Sequence, residues 1–239
     1  MLFRSCRVAQ GSGKEKIKQR VKARGQAPTI TPRLNLAPTQ DALVAVQASG
    51  DVRLEAMRWG LIPPWARDKS IGAKLANARA ETIDEKTSFR QPFRRRRCLL
   101  PVDGYYEWES RPSGKQPVYY SMRDGDLFCL AGLWETWTTP EQTDEPELPG
   151  LGQAQAETLC TFTVITTTPN RLAKRVHDRM PVIVHPADYD RWPSAESQAA
   201  DLKQLLQRFD DESMRGHYVT PLMNNPRFEA PACIEPIIN

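Results

Sequence analysis

The 239-residue sequence predicts an α+β fold, mainly antiparallel, with a barrel-like β core and helices at its periphery. Three observations carry that expectation. Short apolar runs of strand character recur through most of the chain, divided by Gly- and Pro-containing turns. Helical periodicity is confined to a few segments. No internal repeat and no linker separates two folding units, so residues 1–239 read as one domain, with 1–24 a variable N-terminal segment. Composition agrees, since 40% hydrophobic with 26% charged residues suits a chain that buries a core and excludes wholesale disorder.

The elements follow in order. Residues 14–24, KEKIKQRVKAR, hold six basic residues and one acid, with Ile17 and Val21 at helical spacing. They predict a short cationic helix, whose charge more often marks a solvated face than a DNA contact. Gly25, Pro28 and Pro32 end it in an extended connection. Runs 42–47 and 52–59 flank Ala48-Ser-Gly-Asp51, a hairpin signal. Runs 97–102, 105–109, 118–122 and 127–134 follow, separated by Asp103-Gly104, Arg111-Pro-Ser-Gly114 and Asp124-Gly125; 160–167 and 181–185 continue the series. Together they predict an antiparallel meander that curls into a barrel-like sheet. Helices are expected in part of 80–93, briefly at 171–174 and over 194–209, the last with Ser194 as N-cap and Glu196 in its first turn. The acidic stretch 140–152 reads as an exposed loop.

A net charge of +4 is too small to announce a nucleic-acid partner by itself. No apolar run approaches the ~20 residues of a membrane helix, so no membrane is expected. The five Cys are scattered without metal-ligand or disulfide-framework spacing, and no metal site is expected. Cys98, Cys129 and Cys160 sit in apolar stretches and read, with Cys233, as packing residues, whereas Cys6 lies among polar residues near the start. MLFRSCR has no apolar signal core, which points to a reducing, cytoplasmic setting, nucleoid-associated if the host is bacterial. No Gly-rich phosphate loop, GxSxG or HExxH occurs, so nucleotide hydrolysis and the commonest hydrolase sites lose support.

Three polar clusters remain: Asn77-Ala-Arg-Ala-Glu81, Asp103-Gly-Tyr-Tyr-Glu-Trp108 and His177-Asp-Arg-Met-Pro181. Each has a structural alternative. Asn77 could cap a helix, Glu107 could be the outward member of an alternating strand, and His177 could staple a turn. Taken in order with Asn35-Leu-Ala-Pro38, Arg58-Trp-Gly-Leu-Ile-Pro-Pro-Trp65 and Asn224-Asn-Pro226, they closely resemble the SOS-response-associated peptidase family, from about Asn35 to the C-terminus. That family includes the abasic-site processing proteins of bacteria and animals.

The resemblance implies a cupped, mainly β domain that binds single-stranded DNA and single-strand/duplex junctions and captures abasic sites. No metal, organic cofactor or obligate protein partner is implied. The family's nucleophile is a Cys at its N-terminus, whose α-amine forms a Schiff base with the ring-opened sugar and whose thiol closes a thiazolidine. An α-amine, with a reference pKa of ~8, is neutral more often near pH 7 than a lysine. Carried onto this sequence, Asn77 would orient the opened sugar or the amine. Glu107 would be the acid/base for Schiff-base formation and for self-cleavage, and His177 would move the proton that opens the sugar ring or reverses the adduct. Arg79 would hold a phosphate, with Arg179 a second candidate, and Pro38 and Trp65 would offer apolar surface to bases.

The departure is at the N-terminus. The family begins Met-Cys-Gly-Arg and this chain Met1-Leu2-Phe3-Arg4, so Arg4 matches as a DNA contact but Leu2 stands where the Cys belongs. In a second register Cys6-Arg7-Val8-Ala9 meets the family's Cys pattern with one Gly missing. Self-cleavage between Ser5 and Cys6 would expose Cys6 as the nucleophile. Alternatively the Met1 amine makes only a reversible Schiff base, or the working N-terminus is not Met1. The first is preferred because Asn77, Glu107 and His177 are all retained. A non-catalytic binder of single-stranded or abasic DNA is the alternative function.

Overall fold

A computed structural model of the chain describes residues 7–48, 50–140 and 156–237. In chain order the strands are β1 (Arg7–Gln10), β2 (Arg33–Leu36), β3 (Asp41–Ala48), β4 (Asp51–Trp59), β5 (Asn77–Arg79), β6 (Arg97–Val102), β7 (Gly104–Arg111), β8 (Gly114–Met122), β9 (Phe128–Thr138), β10 (Thr158–Thr167), β11 (Met180–Pro181), β12 (Ile183–Val184) and β13 (Met214–Tyr218). The helices are α1 (Lys14–Arg20), α2 (Thr87–Arg95) and α3 (Ala199–Lys203).

Five strands close on themselves: β4 pairs with β3, β3 with β6, β6 with β9, β9 with β10, and β10 returns to β4. This is the expected barrel, but not a meander. Strand direction reverses at each antiparallel step, so a ring of five such strands cannot close without a parallel seam. That seam is β4–β10, where Arg58 faces Thr161 and Trp59 faces Phe162. On the same edge of β10, beyond β4, β5 also runs parallel, pairing Asn77 with Val164 and Arg79 with Thr166. The other edge takes up β11, with Pro181 opposite Thr166. Two motifs thus meet at the C-terminal end of one strand.

A second sheet, in the order β13-β8-β7-β1-β2, packs on the barrel. Alternation divides the barrel side chains. Val44, Leu100, Leu130 and Phe162 share a core with Val8, Tyr105, Tyr120 and Met214 of the second sheet, while Leu43, Leu99, Leu133 and Ile165 pack with Ile17 of α1, Phe93 of α2 and Trp192. The sheet carries Glu107 on β7, and β1 lies beside it with Arg7 opposite Tyr106 and Val8 opposite Tyr105. Long-range contacts hold β1 in that place. The buried Gln10 amide donates to the carbonyls of Leu43 and Pro101 and accepts from Leu43 N–H. Asp103 accepts from the backbone N–H groups of Gly11 and Ser12 at 2.6 and 2.9 Å.

Several local expectations change. The helix expected over 194–209 shortens to α3, whose N-cap position is Gln198 without a side-chain cap. The Ser194 carbonyl is taken instead by the buried guanidinium of Arg97, which also binds the carbonyls of Phe93 and Trp192. Within 80–93 a 3-10 turn at Ala80–Thr82 precedes α2. Asn77 opens a strand and caps no helix. Cys160 is exposed on β10, whereas Cys98, Cys129 and Cys233 are buried. The acidic stretch 141–152 lies outside the described residues. Among the described residues, no helix is long and apolar enough to cross a membrane.

Candidate functional site

Each motif residue is held by a local cause. Trp59 is fully buried, stacked on Phe162 at 6.0 Å between ring centroids, and its indole N–H donates to Ala76 C=O. Gly60, the next residue, has φ +118, and a Cβ there would stand 2.6 Å from the Gly72 carbonyl oxygen. Only glycine lets the two backbones pass. The same loop delivers Trp65 to the surface with 59% of its area exposed. Gly104 gives way to a side chain, since a Cβ there would collide with the ring of Tyr119. The second sheet can therefore stack aromatics directly beside Glu107.

Glu107 is the chemical anomaly. Its side chain is 8% exposed and its Oε2 has no hydrogen-bond partner among the described residues. Burial, reinforced by the charge of Asp178, holds its carboxyl well above the usual carboxylate range. His177 lies against it, Nδ1 to Glu107 Oε2 being 4.0 Å. The Arg179 backbone N–H donates to the same Nδ1 at 3.1 Å. In the neutral ring Nδ1 therefore accepts and Nε2 carries the proton. On protonation, Nδ1–H would find Asp178 Oδ1 at 3.2 Å. A carboxyl whose proton is held by burial, beside an imidazole with a carboxylate behind it, is suited to supplying and recovering protons.

The clusters are joined by one ion pair. Arg179 reaches Glu81 with both terminal nitrogens, at 2.7 and 2.9 Å, and also donates to the carbonyl of Thr166. The guanidinium expected to hold a phosphate is thereby committed within the protein, its side chain only 18% exposed. Arg79 is exposed and shares the outer face of β5 with Asn77, Ala78 between them being buried. Pro38 is buried and presents no face to a base, a second departure from the expected interface. The reason is its neighbour Thr39, whose positive φ of 77 and N–H bond to Trp59 C=O turn the chain inward. Cys6 and Arg4 lie outside the described residues. Burial pushes the Cys129 thiol up to about 12 and the Cys98 thiol higher still, so neither is a thiolate near neutral pH.

Sequence reasoning missed the roles of Glu81, Thr166, Asp178, Gln10 and Asp103. Glu81 and Asp178 stood inside recognised motifs, and a conspicuous Arg two residues after His177 could have suggested a carboxylate partner. Nothing local marks Gln10, whose contacts lie 33 and 91 residues away. Asn35, also in a recognised motif, is fully buried and its amide donates to the carbonyls of Met223, Asn225 and Phe228, tying the C-terminal motif to β2.

Comparison with known proteins converges on one group. The abasic site processing protein YoqW of Bacillus subtilis is 41% identical over 206 residues, covering 85% of this chain and 86% of that protein. The abasic site processing protein HMCES of Xenopus tropicalis is 29% identical, covering 90% of this chain and 69% of that one. A crystal structure of a Bacteroides thetaiotaomicron protein superposes with a TM-score of 0.80 at 26% identity, covering 97% of this chain and 99% of that one. The model of the SOS response associated peptidase (SRAP) family matches residues 5–226, and the chain belongs to that family.

Proposed function

We propose that this protein processes abasic sites in single-stranded DNA and at single-strand/duplex junctions by forming a covalent adduct through Cys6, after cleaving its own chain before that residue. The observation that carries the reading is the buried Glu107 carboxyl, its pKa pushed up by burial, against His177 and beside the strand that follows Cys6. Cys6 is joined to Arg7 by one peptide bond, about 3.8 Å between Cα atoms, and Arg7 faces Tyr106, the neighbour of Glu107.

Self-cleavage adds water across the Ser5–Cys6 peptide bond, leaving a carboxyl on Ser5 and freeing the Cys6 α-amine. The Cys6 α-amine adds to C1′ of the ring-opened sugar, forming C–N while the carbonyl oxygen takes a proton. Glu107 donates the proton with which that hydroxyl leaves as water, and the remaining N–H proton of the iminium returns to the Glu107 carboxylate, giving the imine. The Cys6 sulfur then adds to the imine carbon, the thiol proton passing to nitrogen, and the five-membered ring closes. His177 shuttles the proton of sugar-ring opening, Asn77 orients the opened sugar, Arg79 holds a phosphate and Trp65 takes a base face. The names of the relatives support the substrate, and the retained acid–imidazole pair supports the covalent step.

Incubation with single-stranded DNA carrying one abasic site tests this. A heat-stable adduct is expected from wild type and none from Cys6→Ala, with intact mass showing loss of the first five residues. DNA binding without adduct, even after borohydride, would leave a non-catalytic abasic-DNA binder.

A further inference from the structure

His177 has a second surface. It forms one end of an open cleft of about 1230 Å³ that runs between the loop following β10 and residues 208–211. Lys174, Arg175 and Arg208 line this cleft, all three exposed and none in a salt bridge among the described residues. The cleft also holds three acids, one of which, Asp211, has its charge paired within the protein. Asp211 is paired with Arg171 at 2.8 Å, Asp210 accepts from the N–H groups of Glu212 and Ser213, and Asp178 faces the His177 ring. The half-buried ring of Phe209, backed by His185 at 5.0 Å between centroids, supplies an apolar wall. The cleft is thus a channel with cations pointing into it, an aromatic on one side, and one end at the candidate proton shuttle.

We infer that this cleft is the track for the DNA strand on one side of the abasic nucleotide, with Lys174, Arg175 and Arg208 neutralising successive phosphates. The inference rests on the proposed function for the identity of the nucleotide at His177, and it adds a polarity to it. A strand bound at the site can enter the cleft with its 5′ or its 3′ flank, never with both. Phosphate contacts of this kind position the strand without reading its sequence, as damage at arbitrary positions requires.

The test is binding of oligonucleotides with an unreactive abasic analogue and single-stranded flank on the 5′ side only or the 3′ side only. Wild type is compared with a Lys174→Gln/Arg175→Gln/Arg208→Gln triple variant. A Lys14→Gln/Lys16→Gln/Lys18→Gln variant removes equal charge from α1. The cleft variant should lose affinity about 10-fold or more for one polarity. The slope of log affinity against log salt should fall by about 2 for that polarity, from three contacts at ~0.7 each. The other polarity and the α1 variant should be unchanged. Equal loss for both polarities, no loss for either, or the same loss from the α1 variant would overturn the inference. Adduct yield on a reactive oligonucleotide at saturating concentration separates the two readings. Polarity-selective binding without any wild-type adduct keeps the track and removes the covalent function. Adduct formation without polarity selectivity does the reverse.

Discussion

The Arg179–Glu81 pair can be dissected by two substitutions whose costs differ for a structural reason. Glu81→Gln removes the charge from two hydrogen bonds of 2.7 and 2.9 Å but leaves Arg179 bonded to the Thr166 carbonyl. Hydrogen bonds to charged groups are worth about 1.5–3 kcal/mol, but Glu81 has a 47% exposed side chain, and solvent screening brings the expected cost to about 1 kcal/mol. Arg179→Ala also abandons the Thr166 carbonyl and should cost about 2–3 kcal/mol. Hydrogen bonding to Arg179 holds the Glu81 carboxyl below its ordinary value of 4.5, so the contribution is present above that pH and is lost as pH falls through the lowered value. Urea unfolding of both variants at pH 7 and at pH 3 measures these terms. Because the pair fastens the segment bearing His177 to the turn that follows β5, both variants should also slow adduct formation more than they weaken DNA binding. If Arg179→Ala folded like wild type and instead lowered the salt slope by about 0.7, Glu81→Gln being silent, Arg179 would be a phosphate ligand and the reasoning would fail.

Three further outcomes follow from single side chains. Glu107→Gln should reduce the adduct-forming rate about 100-fold. It should also change stability with the opposite sign. The raised pKa of Glu107 means its favourable contribution is complete below pH ~4.5 and lost as pH rises toward the folded value, so the variant gains on wild type in urea melts from pH 5 to 8. Asn35→Ala, which strands three carbonyls, should cost about 2 kcal/mol in urea. Asn35→Asp should be worse at pH 7, because it turns a carboxylate toward those same oxygens. Gly60→Ala should cost about 3 kcal/mol or more, since it combines a positive φ with a backbone collision, and thermal melting would show it.

Most strands were legible because alternation and turn chemistry are local. The hairpin of β3 and β4 and the full length of β6 stand where the residue pattern puts them. The parallel seam was not legible, because it follows from closing a ring of five strands and from nothing in the run of either partner. The shortened α3 had a similar cause: the Ser194 carbonyl is claimed by Arg97, nearly a hundred residues earlier in the chain. At the site, motif order picked out the candidate residues, but two of their environments were not legible. Pro38 and Arg179 looked like surface contacts and proved to be committed inside, the first by the turn at Thr39 and the second by Glu81. Conversely, Glu107 gained its chemical character only from burial, which strand alternation alone assigns to either face.

The same long-range contacts bear on why a nucleophile could stand sixth in the sequence. What places the start of β1 beside Glu107 is the Gln10 amide in the barrel wall and the Asp103 carboxylate at the Gly11-Ser12 backbone, both downstream of Cys6. On the proposed mechanism, position is counted backwards from this staple rather than forwards from Met1, and self-cleavage removes the residues that precede Cys6. Gln10→Ala tests the argument. Gln10 is 3% exposed, and its loss leaves two carbonyls and an N–H without their partner, a cost of about 2–3 kcal/mol. If the staple delivers Cys6, adduct formation should fall well beyond any change in DNA affinity, while Glu107 and His177 are untouched. A Gln10→Ala protein that melts earlier yet forms adduct at the wild-type rate would show that β1 is held by its ladder with β7 alone, and that the site finds its nucleophile by another route.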